Sequence, residues 1–288
     1  MNEVLRSMLS KYRCETVNDY NNALREIMQE MALLGLWRAK FFEHAAFYGG
    51  TALRVLYGLD RFSEDLDFSL LKPDHKFNIN DYCSAVKMEM ESFGLTVSVD
   101  KKSKSHESDI ESAFIKAGTI RNLISIDVPA KLTDKINKNS VYKIKLEVDK
   151  NPPAGFETEA KYLFQPIPFS VLTYKQPYLF AGKIHAVLCR PWKSRMRGRD
   201  WYDLIWFVSN NVPVSLKHLE SRLKQTGHME PKQKLQGDDL KEMLNKKIEE
   251  INVAELKKDV SIFLKDQRTI NAWSKDLFKE AVVRIMFE

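Results

Sequence analysis

The sequence predicts an α+β protein: a mixed β-sheet core with flanking helices, followed by a mostly helical C-terminal lobe. Three observations predict it. Residues 65–70 and 142–149 alternate apolar and polar side chains, the period of a strand with one face buried. Residues 81–93 place Tyr82, Val86, Met90 and Phe93 at spacings of four, four and three, the period of an amphipathic helix. From Pro177 onward the pattern is helical, and a mixed first part followed by a helical second part is an α+β arrangement. The boundary falls near residues 166–177, giving domains 1–170 and 171–288.

Taken in order, residues 1–45 read as helical. Leu24, Ile27, Met28, Met31 and Leu34 recur at helical spacing, with Asn18 or Asp19 as the cap. This face either packs on the core or offers a partner surface. Phe47 and Tyr48 lead to a turn at Gly49, Gly50 and Thr51, which opens a short helix bearing Ala52, Leu53, Val55 and Leu56. The strand 65–70 follows, with Leu66, Phe68 and Leu70 on the core face and Asp65, Asp67 and Ser69 on the other. Gly94 caps the helix 81–93. Residues 95–99 alternate, residues 101–112 are polar without a period and read as an exposed loop, and 114–115 and 123–128 read as short strands.

In the strand 142–149, Tyr142, Ile144, Leu146 and Val148 face the core, and Asn151-Pro152-Pro153 stops it. Phe180, Ile184, Val187 and Leu188 then form one helix face, ended by Pro191. Residues 200–208 form another, carrying Trp201, Leu204, Ile205 and Val208. The lysine-rich end closes on Phe278, Val282 and Ile285. No internal repeat is visible.

Composition narrows the class. A chain of 288 residues can bury a substantial core, and 44% hydrophobic with 29% charged residues suits a soluble globular protein. No apolar run approaches the roughly 20 residues of a membrane span, and residues 1–6 lack the pattern of a secretory signal. Cys14, Cys83 and Cys189 form neither a disulfide framework nor a zinc spacing, which fits a cytoplasmic location. The net charge of +6 and pI of about 9.0 favour phosphate-rich partners. The charge gathers at Arg190, Lys193, Arg195, Arg197 and Arg199, and again over residues 217–247.

The chemistry gathers where the glycine turn meets the acidic strand. Two carboxylates, Asp65 and Asp67, on one strand face make an all-oxygen site for a hard cation such as Mg²⁺ or Mn²⁺. Gly49 and Gly50 let backbone N–H groups approach an anion at a helix start. Glu147 and Asp149 share the polar face of the second strand, so pairing of the two strands would bring three or four carboxylates together. Their repulsion calls for cations. Either Glu147 or Asp149 completes the set, and Glu147 is preferred. Lys183 either snorkels from the flank of an apolar helix or reaches a triphosphate. Asp200 and Asp203 share a helix face, where capping by Asp200 and solvation of Asp203 compete with a catalytic use. Ala181-Gly182-Lys183 lacks the upstream glycine of a P-loop. The histidines show no metal-ligand spacing, so His44 and His185 read as packing or surface residues, and there is no Gly-x-Ser-x-Gly motif.

Together, Gly49-Gly50-Thr51 and Arg61-Phe62-Ser63-Glu64-Asp65-Leu66-Asp67-Phe68 resemble motif I of the DNA polymerase β-like nucleotidyltransferases, specifically the AbiEii/AbiGii toxin family. Lys145-Leu146-Glu147-Val148-Asp149 resembles the strand supplying the third metal carboxylate. Lys183 and Arg199-Asp200-Trp201-Tyr202-Asp203-Leu204 resemble the later lysine helix and the Arg-Asp-x-x-Asp-Leu helix. The resemblance spans residues 48–207 and implies a nucleotidyltransferase-like fold. It implies a Mg²⁺-dependent enzyme that transfers NMP from an NTP with release of pyrophosphate, as the toxin of a bacterial toxin–antitoxin or abortive-infection (phage-defence) system. A winged-helix antitoxin encoded beside it and a tRNA 3′ end as acceptor are implied as well. By the same resemblance Thr51 and Ser63 contact the triphosphate, and Arg61 and Asp203 belong to the nucleotide site. Asp65 and Asp67 bind metal, Lys183 holds the nucleotide, and Asp200 acts in catalysis or organises the site. The competing readings are transfer to a protein or an antibiotic, and a non-catalytic nucleotide- or RNA-binding regulator.

Overall fold

The computed structural model of the chain describes residues 3–101, 109–118, 122, 141–191 and 197–288. The expected strand 123–128 and the basic residues Lys193 and Arg195 lie outside them. The chain divides into two compact units. Unit 1 comprises Met1–Leu56, Glu64–Pro152 and Ala160–Thr173; unit 2 comprises Tyr57–Ser63, Pro153–Glu159 and Tyr174–Glu288.

Seven strands form one sheet: β1 (Ala45–Tyr48), β2 (Leu66–Leu70), β3 (Val97–Lys101), β4 (Ile110–Gly118), β5 (Val141–Asp149), β6 (Thr158–Leu163) and β7 (Phe169–Tyr174). Their order is β3-β4-β5-β2-β1-β7-β6. β1 with β2, β3 with β4, and β4 with β5 are antiparallel, whereas β2 with β5 and β1 with β7 are parallel. The sheet is therefore mixed, as the sequence predicts. Tyr142, Ile144, Leu146 and Val148 all lie in the core.

Three strands escape the periodicity. β1 is four residues long, and Ala45, Ala46 and Phe47 are all buried, so no alternation shows. β6 and β7 flank Pro166 and Pro168, which read as breakers but stand outside both strands. Residues 110–112 of the expected loop 101–112 belong to a strand. β4 begins at Ile110 because its ladder with β5 extends to Ile110 opposite Asp149.

The helices of unit 1 are α1 (Glu3–Leu9), α2 (Val17–Arg38), α3 (Gly49–Tyr57) and α4 (Asn80–Ser92), with a 3₁₀ turn at Phe41–Glu43. The N-terminal helical stretch is thus interrupted, and it gives way to β1 at Ala45. Thr16, rather than Asn18 or Asp19, caps α2: its side chain accepts from the Asp19 N–H, while the Asp19 carboxylate accepts from the Thr16 N–H. Leu24, Ile27, Met28, Met31 and Leu34 are wholly buried, so this face packs on the core. Phe41 sits at the centre of an aromatic cluster, its ring 4.9 Å from Phe68, 5.0 Å from Tyr82 and 6.1 Å from Phe77.

Unit 2 holds α5 (Gln176–Cys189), α6 (Gly198–Ser209), α7 (Leu216–Gln225), α8 (Gly237–Glu250), α9 (Val253–Ser261) and α10 (Lys275–Val283). Phe180 stacks on Phe207 at 4.5 Å, Trp201 lies 4.9 Å from Phe278, and Phe278, Val282 and Ile285 are buried as expected. Segment 57–63 joins this unit, with the Phe62 N–H donating to the Phe263 carbonyl at 2.8 Å. No helix among the described residues is long and apolar enough to cross a membrane.

The Phe41 cluster ties α4 to the strand that carries Asp67. Phe41→Ala should lower stability by about 3–5 kcal/mol, read as an earlier midpoint in chemical denaturation.

Candidate active site

The acidic strands meet in register. β2 and β5 pair so that Asp67 stands opposite Glu147 and Ser69 opposite Asp149. Tyr48 on β1 is the partner of Asp67, and Ser112 on β4 is the partner of Glu147. Tyr48, Asp67, Glu147 and Ser112 thus form one row across four neighbouring strands, on one face of the sheet. The Ser112 hydroxyl donates to Glu147 Oε1 at 3.4 Å, and Lys145 Nζ lies 2.5 Å from the same oxygen. Asp149 is two residues further along β5, about 7 Å away at strand rise, and accepts the Asn151 N–H at 2.9 Å to close the turn. Of the two candidates, Glu147 is the carboxylate beside Asp67.

Asp65, just before β2, is held through its backbone. Thr51, wholly buried, donates its hydroxyl to the Asp65 carbonyl. One residue earlier, the buried Gln29 of α2 donates through Nε2 to the Glu64 carbonyl at 3.1 Å. α2 also grips α3, where Arg54 Nε donates to the buried Glu26 at 2.5 Å. At the start of α3, Gly49 has φ +85°, and a Cβ there would come within 2.5 Å of Asp67 Oδ2. Glycine is required twice over, by the left-handed backbone and by the carboxylate against it. Gly50 beside it is buried.

Unit 2 gathers the later motifs into one buried network. Arg61 forks onto Asp203, with Nε and a terminal nitrogen each 2.6 Å from a carboxylate oxygen, and donates also to the Phe62 carbonyl at 3.0 Å. Arg61 is 2% exposed and Asp203 wholly buried, which overturns the expectation of a solvated Asp203. Lys183 Nζ on α5 lies 2.7 Å from Asp203 and 3.9 Å from Asp200, and Arg190 donates to Asp200 at 2.9 Å. Asp200 does not cap α6: the cap position is Arg197, and Asp200 is nearly buried among cations. Ser63, also of this unit, is buried as well.

Burial opposes the charge on Asp203, but Arg61 and then Lys183 outweigh it and hold the carboxyl below its ordinary range. Burial likewise opposes the charge on Arg61, and Asp203 more than restores it. The pair stays ionised because each charge is satisfied at close range.

The donors around Asp67 are of the type that a hard divalent cation takes. They are carboxylate oxygens on adjacent strands, and Glu147, now held by Lys145, would have to exchange that partner for the metal. Sequence reasoning missed three residues of this arrangement. Gln29 looks like any polar residue on a helix; Ser112 was assigned to a loop; Arg190 was counted only as part of a basic cluster. A cleft of about 680 Å³ lined by Glu43, His44, Lys72, Phe77 and Tyr82 opens beyond the Leu70 end of β2 and contains none of these carboxylates.

A mixed sheet presenting an Asp-x-Asp strand beside a second acidic strand, entered through a glycine turn, suits metal-assisted nucleotidyl transfer. Residues 32–281 match the family described as nucleotidyl transferase AbiEii toxin, Type IV TA system, and the chain belongs to that family. None of the curated proteins matches significantly. Similar solved structures include a candidate nucleotidyltransferase from H. pylori, at 18% identity and TM-score 0.47 over 92% of both chains. Another is JHP933 from Helicobacter pylori, at 18% identity and TM-score 0.44 over 92% of this chain and 88% of that one. A third is an antigenic nucleotidyltransferase-like protein from Paracoccidioides brasiliensis, at 16% identity and TM-score 0.40 over 70% and 86%.

Gly49→Ala should drive a methyl into Asp67 and strain the turn by about 1–2 kcal/mol. Its transferase activity should fall about 100-fold through misplacement of that carboxylate, with the fold retained by circular dichroism. Asp203→Asn strands a buried guanidinium and should cost about 3–5 kcal/mol. Because the folded-state pKa of Asp203 is depressed, its contribution is complete above the ordinary carboxylate range and is lost as pH falls below it. The gap in stability between wild type and Asp203→Asn should therefore be widest near neutral pH and close in acid, as urea titrations at several pH values will read.

Proposed function

We propose that the protein transfers a nucleoside monophosphate from an NTP to the 3′ end of an RNA, a tRNA above all, with Mg²⁺ or Mn²⁺ as cofactor and pyrophosphate as leaving group. The observation that carries this reading is the pairing of Asp67 with Glu147, with Gly49 pressed against Asp67. Asp65, Asp67 and Glu147 would hold the metal, with Asp149 outside the set. When bound, the metal supplies charge neutralisation for the departing pyrophosphate and lowers the pKa of the attacking hydroxyl.

The chain's own part is positioning. The N–H groups of Gly49 and Gly50 at the start of α3 would serve as phosphate donors. Thr51 and Gln29 hold the Asp65 peptide rather than spending their side chains on a nucleotide. The acceptor hydroxyl attacks the α-phosphorus, the bond to the β-phosphate oxygen breaks, and the hydroxyl proton passes to solvent or a carboxylate. We assign Lys183 to the nucleotide, as the family resemblance implies, with Asp200 tuning its charge. Arg61 and Asp203 lock the network, and Ser63 follows the same resemblance as a triphosphate contact.

Transfer to tRNA ends would block translation, the growth-arresting act of a toxin in phage defence, in the cytoplasm where NTPs and tRNA are abundant. The partner would be an antitoxin, of winged-helix type and encoded alongside. The net charge of +6 supports a polyanionic acceptor.

Purified protein with Mg²⁺, each α-labelled NTP in turn and total bacterial RNA should label a tRNA-sized band on a denaturing gel. Asp65→Ala with Asp67→Ala should reduce the label by about a thousandfold or more. Glu147→Ala should lose most of the activity and Asp149→Ala little. Labelling should fall steeply with added salt. Label on protein or on a small molecule would replace the acceptor, and RNA binding without any label would replace the enzyme with a regulator.

A further inference from the structure

We infer that unit 2 contains a transition-metal site formed by His185, Cys189 and His228, suited to Zn²⁺ and independent of the carboxylates around Asp67. The sequence shows no metal-ligand spacing here, because the third ligand is remote in the chain. His185 and Cys189 are four residues apart, one turn of α5, and so share a helix face. His228 follows the end of α7, where Gly227 at φ +72° turns the chain back and the His228 N–H donates to the Leu223 carbonyl at 2.8 Å. One donor atom from each of the three side chains lies within 4.8 Å of the others. Tetrahedral bonds of about 2.0–2.3 Å need donors roughly 3.3–3.8 Å apart, so closure takes about an ångström of side-chain movement.

Both rings are already oriented by one hydroxyl. Thr226 Oγ1 lies 2.9 Å from His185 Nε2 and 3.0 Å from His228 Nδ1. That hydroxyl donates its own proton to the Arg222 carbonyl at 2.9 Å. It can accept from either ring, and a ring that donates to it keeps a lone pair on its other nitrogen. An outer partner that fixes the tautomer in this way is the usual support of a ligating histidine.

The donor set selects the metal. Two imidazoles and a thiol are poor ligands for Mg²⁺ or Ca²⁺ and good ones for Zn²⁺. The surrounding charges oppose any divalent cation. Arg222 and Arg190 act on His185, and Lys247 acts on Cys189. Against that repulsion a thiolate, formed with loss of the thiol proton, supplies negative charge and a bond to the metal. His185 and Cys189 are half-buried and His228 is exposed, so a water can take the fourth position. The ion would staple α5, the helix that carries Lys183, to the end of α7.

The test uses the full chain stripped by chelator and then given Co²⁺ alone. The expected result is one Co²⁺ per chain with a thiolate-to-cobalt charge-transfer band, bleached by Zn²⁺. Cys189→Ser should abolish the band, and His228→Ala, a surface change that spares the fold, should weaken Zn²⁺ binding at least tenfold. Cys14→Ser, Cys83→Ser and the double change Asp65→Ala with Asp67→Ala should keep the band, which separates this site from the carboxylates. Absence of the band in wild type overturns the inference, as does a band that survives Cys189→Ser or disappears with Cys14→Ser or Cys83→Ser.

Discussion

The parallel pairing of β2 with β5 is the constraint on which the chemistry of unit 1 depends. Side chains alternate along a strand, so a slip of one residue would set Asp67 opposite an apolar neighbour and turn Glu147 to the other face. Burial forbids that slip. Leu66, Phe68, Leu146 and Val148 fill the core from the opposite face, and exposing them would cost roughly 1.5–3 kcal/mol each. The apolar face thus fixes the register, and the register brings the carboxylates together.

What surrounds the pair serves to hold it still. α2 is largely buried between Ala23 and Leu36, yet it sends Gln29 to the Glu64 carbonyl and Glu26 to Arg54 on α3. Thr51 reaches the next carbonyl along. The Asp65 peptide is thereby gripped from a long helix and from the turn that begins α3. Carboxylates that repel one another need such support, because the apo arrangement is not one that the side chains would choose in water. Lys145, beside Glu147, supplies part of the missing positive charge.

Unit 2 treats charge differently. Its two aspartates on α6 sit among three cations, and Asp203 is wholly enclosed. A buried pair of this kind adds little net stability compared with apolar side chains of similar volume, but breaking it is expensive. Its effect is to specify geometry: the fork of Arg61 onto Asp203 joins the 57–63 segment to α6, and Lys183 joins α6 to α5. Arg61 and Asp203 stand in the positions that the family resemblance gives to a nucleotide site, and the structure shows how they are held.

Much of the protein is legible in its sequence where the signal is local. The α+β class, the helix over residues 81–93, the alternation of β5 and the glycine turn before Asp65 and Asp67 follow from period and turn chemistry within a few residues. β1 was hidden because it is four residues long and buried on both faces, so it shows no alternation. Other features depend on segments far apart in the chain: the pairing of Glu147 with Asp67, Ser112 beside it, Gln29 behind Asp65, the burial of Asp203 under Arg61, and the meeting of His185 and Cys189 with His228. No local period encodes such meetings. They are decided when apolar faces pack and strand registers lock, and only the tertiary structure records the result.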